Sequence, residues 1–138
     1  MSGPAVAAAQ GERLLVVEDE AELLTYLIEE LEDLGYRVQG AKDGVQALAL
    51  AQAECPDLVL TDIMMPRMGG ADLFFACQRT PALAQVPFLF LTALSSAQML
   101  RALPPGETPH ILKKPIDYDD LARAIRWRLA RAGSRSQA

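Results

Sequence analysis

The chain has 138 residues, of which 51% are hydrophobic and 22% charged, with a formal net charge of −5. That is enough apolar chain for one domain with a buried core, which excludes an intrinsically disordered protein. The negative balance argues against non-specific nucleic-acid binding by the domain itself, although the stretch from Arg123 to Arg135 carries five arginines and no acid. Acids instead concentrate between Glu18 and Asp33.

Residues 1–11, rich in alanine and glycine, read as a disordered lead-in. They lack the basic start and apolar centre of a secretory signal. Nothing in the chain reaches the ~18 consecutive apolar residues of a membrane span. "RLLVVE" from Arg13 is a short apolar run fit for a buried parallel strand. The next segment places Leu23, Leu24, Leu27, Ile28, Leu31 and Leu34 at helical spacing, and Gly35 marks its stop. "YRVQGA" predicts a second strand, and "DGVQALALAQAECP" a second helix that must leave its course before Pro56. "DLVLTD" is the third strand, "GGADLFFACQRT" a third helix and "VPFLFLTA" a fourth strand. A fourth helix is predicted from Ser95 or Ser96, either of which can cap it, to the prolines at 104 and 105. "HILKKP" gives a brief fifth strand and "DYDDLARAIRWRLARAG" a last helix. The domain is expected over 12–131, with 132–138 a flexible tail. Cys55 and Cys77 lie outside any metal-ligand spacing, so they are expected to be buried or half-buried free thiols in a reducing, cytoplasmic setting.

Strands alternating with helices in this way imply an α/β fold, a doubly wound parallel sheet covered on both faces. Ligands of such sheets bind beyond the carboxyl ends of the strands. Those positions hold Glu18, Asp19 and Glu20 after the first strand, Asp62 at the end of the third, Thr92 at the end of the fourth and Lys114 at the end of the fifth. Each has an unremarkable explanation taken singly: an acidic helix start, a turn aspartate, a cap threonine, a surface lysine. Together they place several carboxylates, a hydroxyl and an ammonium on one sheet edge. Crowded carboxylates repel unless a cation joins them. Mg²⁺, or another divalent cation such as Mn²⁺, suits one or two carboxylates with waters and phosphate oxygens as the remaining ligands. An ionised aspartate is a competent nucleophile toward phosphorus, and a lysine and a metal can stabilise the charge of phosphoryl transfer.

The motifs "LLVVEDE", "DLVLTDIMMPRMGG", "LTA" and "KKPID" stand in the order and approximate spacing of the response-regulator receiver domain. Over about 12–131 the chain resembles that two-component phosphoacceptor module, in the form of a stand-alone receiver of the chemotaxis type. The resemblance implies a flavodoxin-like five-stranded sheet in the order 2-1-3-4-5. It makes Asp62 the phosphorylated aspartate, Asp19 the direct metal ligand and Glu18 its acidic neighbour. Met64 then supplies a backbone carbonyl to the metal, Thr92 is the switch hydroxyl, and Lys114, rather than its neighbour Lys113, is the phosphoryl-stabilising lysine. Pro66 and Gly70 match the loop signature, while Gly69 replaces a common acid.

Two departures stand out. Ile111 occupies a position that is often an aromatic switch, so readout by an aromatic rotamer is not expected, although Ile111 itself is a candidate part of a partner surface. Met64 and Leu94, which flank the route of attacking water in the family, are both apolar, which implies a long-lived phosphoryl group. Trp127, opposite the face of Leu121, Ala124, Ile125, Arg128 and Leu129 and beside Arg123, Arg126 and Arg131, marks a docking surface for a partner or for a homodimer mate. His110, the one histidine, is read as structural. The expected function is phosphoacceptance from a histidine kinase or histidine phosphotransfer protein, switching contacts with a downstream protein target, with no direct nucleic acid and no membrane. An aspartyl-phosphate hydrolase would show Asp-x-Asp-x-Thr after the first strand, where this chain has "EDEAE". A dinucleotide site would need the missing Gly-x-Gly-x-x-Gly there. A degenerate receiver acting as a fixed docking surface would not need the full acidic set with Thr92 and Lys114.

Overall fold

The computed structural model describes residues 10–93 and 110–137. In chain order these form β1 (Arg13–Val17), α1 (Ala21–Asp33), β2 (Arg37–Ala41), α2 (Gly44–Ala53), β3 (Leu58–Asp62), α3 (Gly70–Gln78), a 3₁₀ turn (Pro81–Leu83), β4 (Phe88–Thr92), β5 (His110–Lys113) and α4 (Tyr118–Gln137). The strands make one parallel sheet, as their alternation with helices implied, in the order β2-β1-β3-β4-β5 that the resemblance implied. The expected helix after Ser95 lies outside the described residues, as does Leu94.

Strand alternation sends the core to both faces of the sheet. Leu15, Val17, Val59, Phe88 and Phe90 face Ala47, Ala51, Leu73, Phe74 and Cys77 of α2 and α3. There the Phe74 ring meets Phe88 edge-on at 5.1 Å. Leu14, Val16, Leu58, Leu60, Leu89 and Leu91 face Leu27 and Leu31 of α1 and Leu121 and Ile125 of α4. Each fully buried aliphatic or aromatic side chain contributes about 1.5–3 kcal/mol against exposure, so both layers hold β1, β3 and β4 firmly.

Local signals place the helix ends. Gly35 follows the last turn of α1 with φ 104°, and its amide donates to the Glu32 carbonyl at 2.9 Å. Asp43 caps α2 by accepting from the Gln46 amide at 2.9 Å, the usual job of an N-cap carboxylate. Gly70 opens α3 where a Cβ would lie 2.4 Å from the Asp62 carbonyl oxygen, so no side chain fits.

Two features differ from expectation, and one element was not foreseen. The last helix continues through Gln137 instead of yielding to a loose tail from residue 132. The added stretch holds no proline, and its single Gly133 costs only about 1 kcal/mol in a helix. Cys55 is exposed, because α2 ends at Ala53 and the chain turns out before Pro56; Cys77, inside α3, is buried as expected. The 3₁₀ turn, which has no apolar periodicity to announce it, carries Leu83 into the core.

Candidate functional site

The register aligns the strand ends. Val17 of β1 lies opposite Thr61 of β3, Asp62 opposite Leu91 of β4, and Thr92 opposite Lys113 of β5. The residues that follow therefore meet at one edge. The Glu18 amide still donates to the Ala41 carbonyl at 3.0 Å, and the Lys114 amide to the Thr92 carbonyl at 2.8 Å, so both are anchored by the sheet itself.

From that anchor Lys114 reaches across. Its Nζ donates to Asp62 Oδ2 at 2.7 Å and to Glu18 Oε1 at 2.9 Å, and approaches Glu20 Oε1 at 3.8 Å. The second oxygen of Glu18 accepts from the Glu20 amide at 3.1 Å, and the second oxygen of Asp62 from the Met64 amide at 3.2 Å. Glu18 is wholly buried and Asp62 nearly so, while Asp19 is exposed. Carboxylate oxygens of Glu18, Asp19 and Asp62 lie within 4.8 Å of one another. Lys113 is exposed, and it is Lys114 that the structure brings to the carboxylates. Thr92 is buried at the end of β4 beside this group.

The electrostatics follow from the burial. Desolvation pushes the Glu18 carboxyl above its ordinary range, against the hydrogen bonds from Lys114 and the Glu20 amide. Burial alone would lower the Lys114 pKa, but its hydrogen bonds to Asp62 and Glu18 outweigh that and raise it. Three carboxylates meet one ammonium at the mouth of the sheet. The remaining negative charge, the oxygen-only donor set and the exposed edge at Asp19 fit a small divalent cation.

Two surface expectations fare differently. Ile111 is half-buried and packs against the core layer that contains Phe90. Trp127 is 45% exposed, with the Arg131 guanidinium 4.6 Å above its ring. Arg126 does not join that face: it turns to Glu12 at 2.8 Å and to the Tyr36 hydroxyl at 3.5 Å. Arg123 pairs with Asp120 one turn earlier in α4. No pattern in the chain announces the pair between Asp43, the N-cap of α2, and Arg67 of the loop that follows β3. Arg67 stands in left-handed backbone, φ 67°, where no glycine or asparagine announces it.

A parallel 2-1-3-4-5 sheet whose strand ends gather an acidic cluster around one lysine defines a phosphoacceptor-type α/β domain. The profile of the response regulator receiver domain matches residues 14–126, and the chain belongs to that family of two-component signalling proteins. Among curated relatives it is 34% identical over 128 residues to the "Probable transcriptional regulator ycf27" of Porphyridium aerugineum, covering 91% of this chain and 52% of that protein. It is 35% identical over 134 residues to the "Transcriptional regulatory protein PdtaR" of Mycobacterium tuberculosis, covering 95% and 64%. The chain thus spans about half to two thirds of the length of these relatives. Among solved structures it resembles the chemotaxis protein CheY4 of Vibrio cholerae, with a TM-score of 0.79 at 27% identity, covering 86% of this chain and 99% of that one. It also resembles the receiver domain of the sensor histidine kinase PA1611 from Pseudomonas aeruginosa, which holds a magnesium ion in its active-site cleft; the TM-score is 0.77 at 28% identity, covering 88% and 99%. Among the described residues no helix is long and apolar enough to cross a membrane.

Proposed function

We propose that Asp62 accepts a phosphoryl group from a phosphohistidine of a kinase or phosphotransfer protein and that the modified edge switches a protein-binding surface in the cytoplasm. The observation that carries this reading is the Lys114 ammonium bridging Asp62 and the buried Glu18, with Asp19 completing the carboxylate cluster. Lys114 and the Met64 amide each hold one oxygen of Asp62, which fixes the carboxylate at the sheet edge. One carboxylate oxygen forms the new O–P bond as the P–N bond of the donor breaks, and the imidazole nitrogen leaves with the bond's electron pair. Lys114 then faces the transferred group and offsets its charge. Thr92, at the adjacent strand end, supplies the hydroxyl that hydrogen-bonds a product oxygen.

Glu18, Asp19, Asp62 and the Met64 carbonyl would hold Mg²⁺ or Mn²⁺. The bound ion would neutralise phosphate oxygens during transfer. The output is protein contact, with Ile111 near the strand-five edge and the exposed Trp127 on α4 as candidate points of readout. The domain serves as a signalling acceptor, not as a hydrolase acting on free substrate.

Acetyl phosphate with and without Mg²⁺ tests the reading, with intact mass followed over time for the native chain and for Asp62→Ala. Mg²⁺-dependent gain of one phosphate by the native chain alone supports it. Equal gain by Asp62→Ala, or none from acetyl phosphate and from a panel of phosphohistidine donors, overturns it.

A further inference from the structure

The loop between β3 and α3 contains Met64, whose amide touches Asp62, and it is fastened at a second point, to Asp43 at the start of α2. Arg67 Nη2 donates to Asp43 Oδ2. Asp43 is 3% exposed, and its other oxygen accepts from the Gln46 amide at the start of α2. The next residue of α2 repeats the connection: the Gly44 amide donates to the Met68 carbonyl at 3.0 Å. A Cβ on Gly44 would lie 2.6 Å from that same carbonyl oxygen, so the approach of loop and helix is as close as glycine permits. Within the loop the Met68 amide donates to the Pro66 carbonyl at 2.8 Å, and the Gly70 amide returns to the Ile63 carbonyl at 2.8 Å.

Arg67 is the one non-glycine with positive φ among the described residues, at 67°. Left-handed backbone disfavours a residue with a Cβ, and glycine or asparagine would adopt it more readily. An arginine held there needs a compensating interaction, and its guanidinium reaches a buried carboxylate. The Asp43 carboxyl is held below its ordinary range by the Gln46 amide first and by Arg67 next, so the charge of the pair persists at neutral pH.

We propose that Asp43 and Arg67 are positioning residues, a clasp between α2 and the β3–α3 loop that sets where the Met64 backbone stands beside Asp62 and hence how tightly the site holds a divalent cation. This rests on the phosphoacceptor reading above and names the control of its cation site. The clasp touches neither the cation nor the phosphoryl group. It acts through the loop, as outer partners orient inner ligands in metal sites.

The test uses the full chain, with Arg67→Ala, Asp43→Asn and the double variant; asparagine keeps the oxygen that caps α2 while removing the charge. Three readouts are compared. In metal-free protein, hydrogen exchange of the Met64 amide is expected to quicken in both single variants. Calorimetric titration with Mg²⁺ is expected to show binding weakened about fivefold to tenfold, at or below the low end for loss of a partner that orients a ligand, because the Arg67 side chain is 73% exposed and exposed ion pairs are weak. Phosphoryl uptake from acetyl phosphate should need more Mg²⁺ but reach a plateau rate within about twofold of the native one, as loss of positioning without loss of a reacting group requires. The double variant should be no weaker than the poorer single one, since both remove the same interaction.

Arg67→Gly guards against misfolding as the cause. It relaxes the backbone while losing the pair, so it should melt no lower than the native chain and still bind Mg²⁺ less well. Native exchange at Met64 and native Mg²⁺ affinity in Arg67→Ala would overturn the clasp, as would fully additive losses in the double variant. Failure of the native chain to bind Mg²⁺ or take up phosphate would instead strike the phosphoacceptor reading, while the metal-free exchange comparison would still judge the clasp.

Discussion

Replacing Lys114 with methionine keeps most of the side-chain volume and deletes the ammonium. Glu18, with no exposure, and the Asp62 side chain, with 10%, then face each other without the group that bridges them. Removing one partner of a buried ion pair costs about 3–5 kcal/mol, because the charge left behind is desolvated and uncompensated. The lower figure applies here, since Lys114 and Asp62 both reach the solvent edge. For a domain of this size roughly 3 kcal/mol corresponds to a melting-temperature loss of roughly 12 °C. The loss should depend on pH with a definite sign. Burial already raises the Glu18 pKa, and without Lys114 it rises further. A carboxyl with a raised folded pKa contributes its stability below its unfolded value, about 4.3, and loses it as pH rises through the folded value. The gap between native and variant should therefore be narrow near pH 5 and widen toward pH 8, by at most about 1.4 kcal/mol per pH unit for one proton. Lys114 itself, with a raised pKa, stays charged across this window and gives up its share only in strong alkali. Urea titrations of both proteins without divalent cation, at three pH values across that range, measure the gap. A gap below about 1 kcal/mol at every pH, or one that widens toward acid, would refute the reasoning.

Gly70→Ala places a Cβ 2.4 Å from the Asp62 carbonyl oxygen; backbone must move, and a loss of about 1–3 kcal/mol in urea titration is expected. The two thiols should separate under alkylation at mildly alkaline pH: Cys55 is exposed, whereas Cys77 is buried with its pKa pushed up to about 11. Peptide mass should find Cys55 labelled and Cys77 unlabelled until urea is added. Met64 is 60% exposed at the mouth of the site. Met64→Asn should speed loss of the phosphoryl group, read by intact mass after acetyl phosphate is removed, and an unchanged decay would count against an apolar barrier to water.

Much of this was legible in the sequence for a physical reason. "LLVV", "LVLT" and "FLFLT" are short apolar runs buried on both faces, and a parallel sheet requires that pattern. Once they align, Glu18, Asp62, Thr92 and Lys114 have nowhere to go but the same edge. Pro115, directly after Lys114, favours that lysine over Lys113, and Lys113 is exposed while Lys114 reaches Asp62. What was not legible depends on three-dimensional reach. No periodicity marks Arg67 as left-handed or directs it to Asp43, 24 residues earlier. Arg126 looked like part of a basic surface around Trp127, yet a long side chain can turn from its helix, and it turns to Glu12. The exposure of Cys55 hinged on where α2 ends, and helix ends are the least determined part of any apolar pattern.

The central claim is that the phosphoryl group resides on Asp62 as an acyl phosphate. The direct measurement is borohydride reduction of the chain after incubation with acetyl phosphate and Mg²⁺, followed by peptide mass mapping. Borohydride converts an aspartyl phosphate to homoserine and leaves free carboxylates untouched. The account predicts homoserine at position 62, dependent on Mg²⁺. Homoserine at another aspartate, or phosphate retained on a serine, threonine or histidine with Asp62 unchanged, would contradict it.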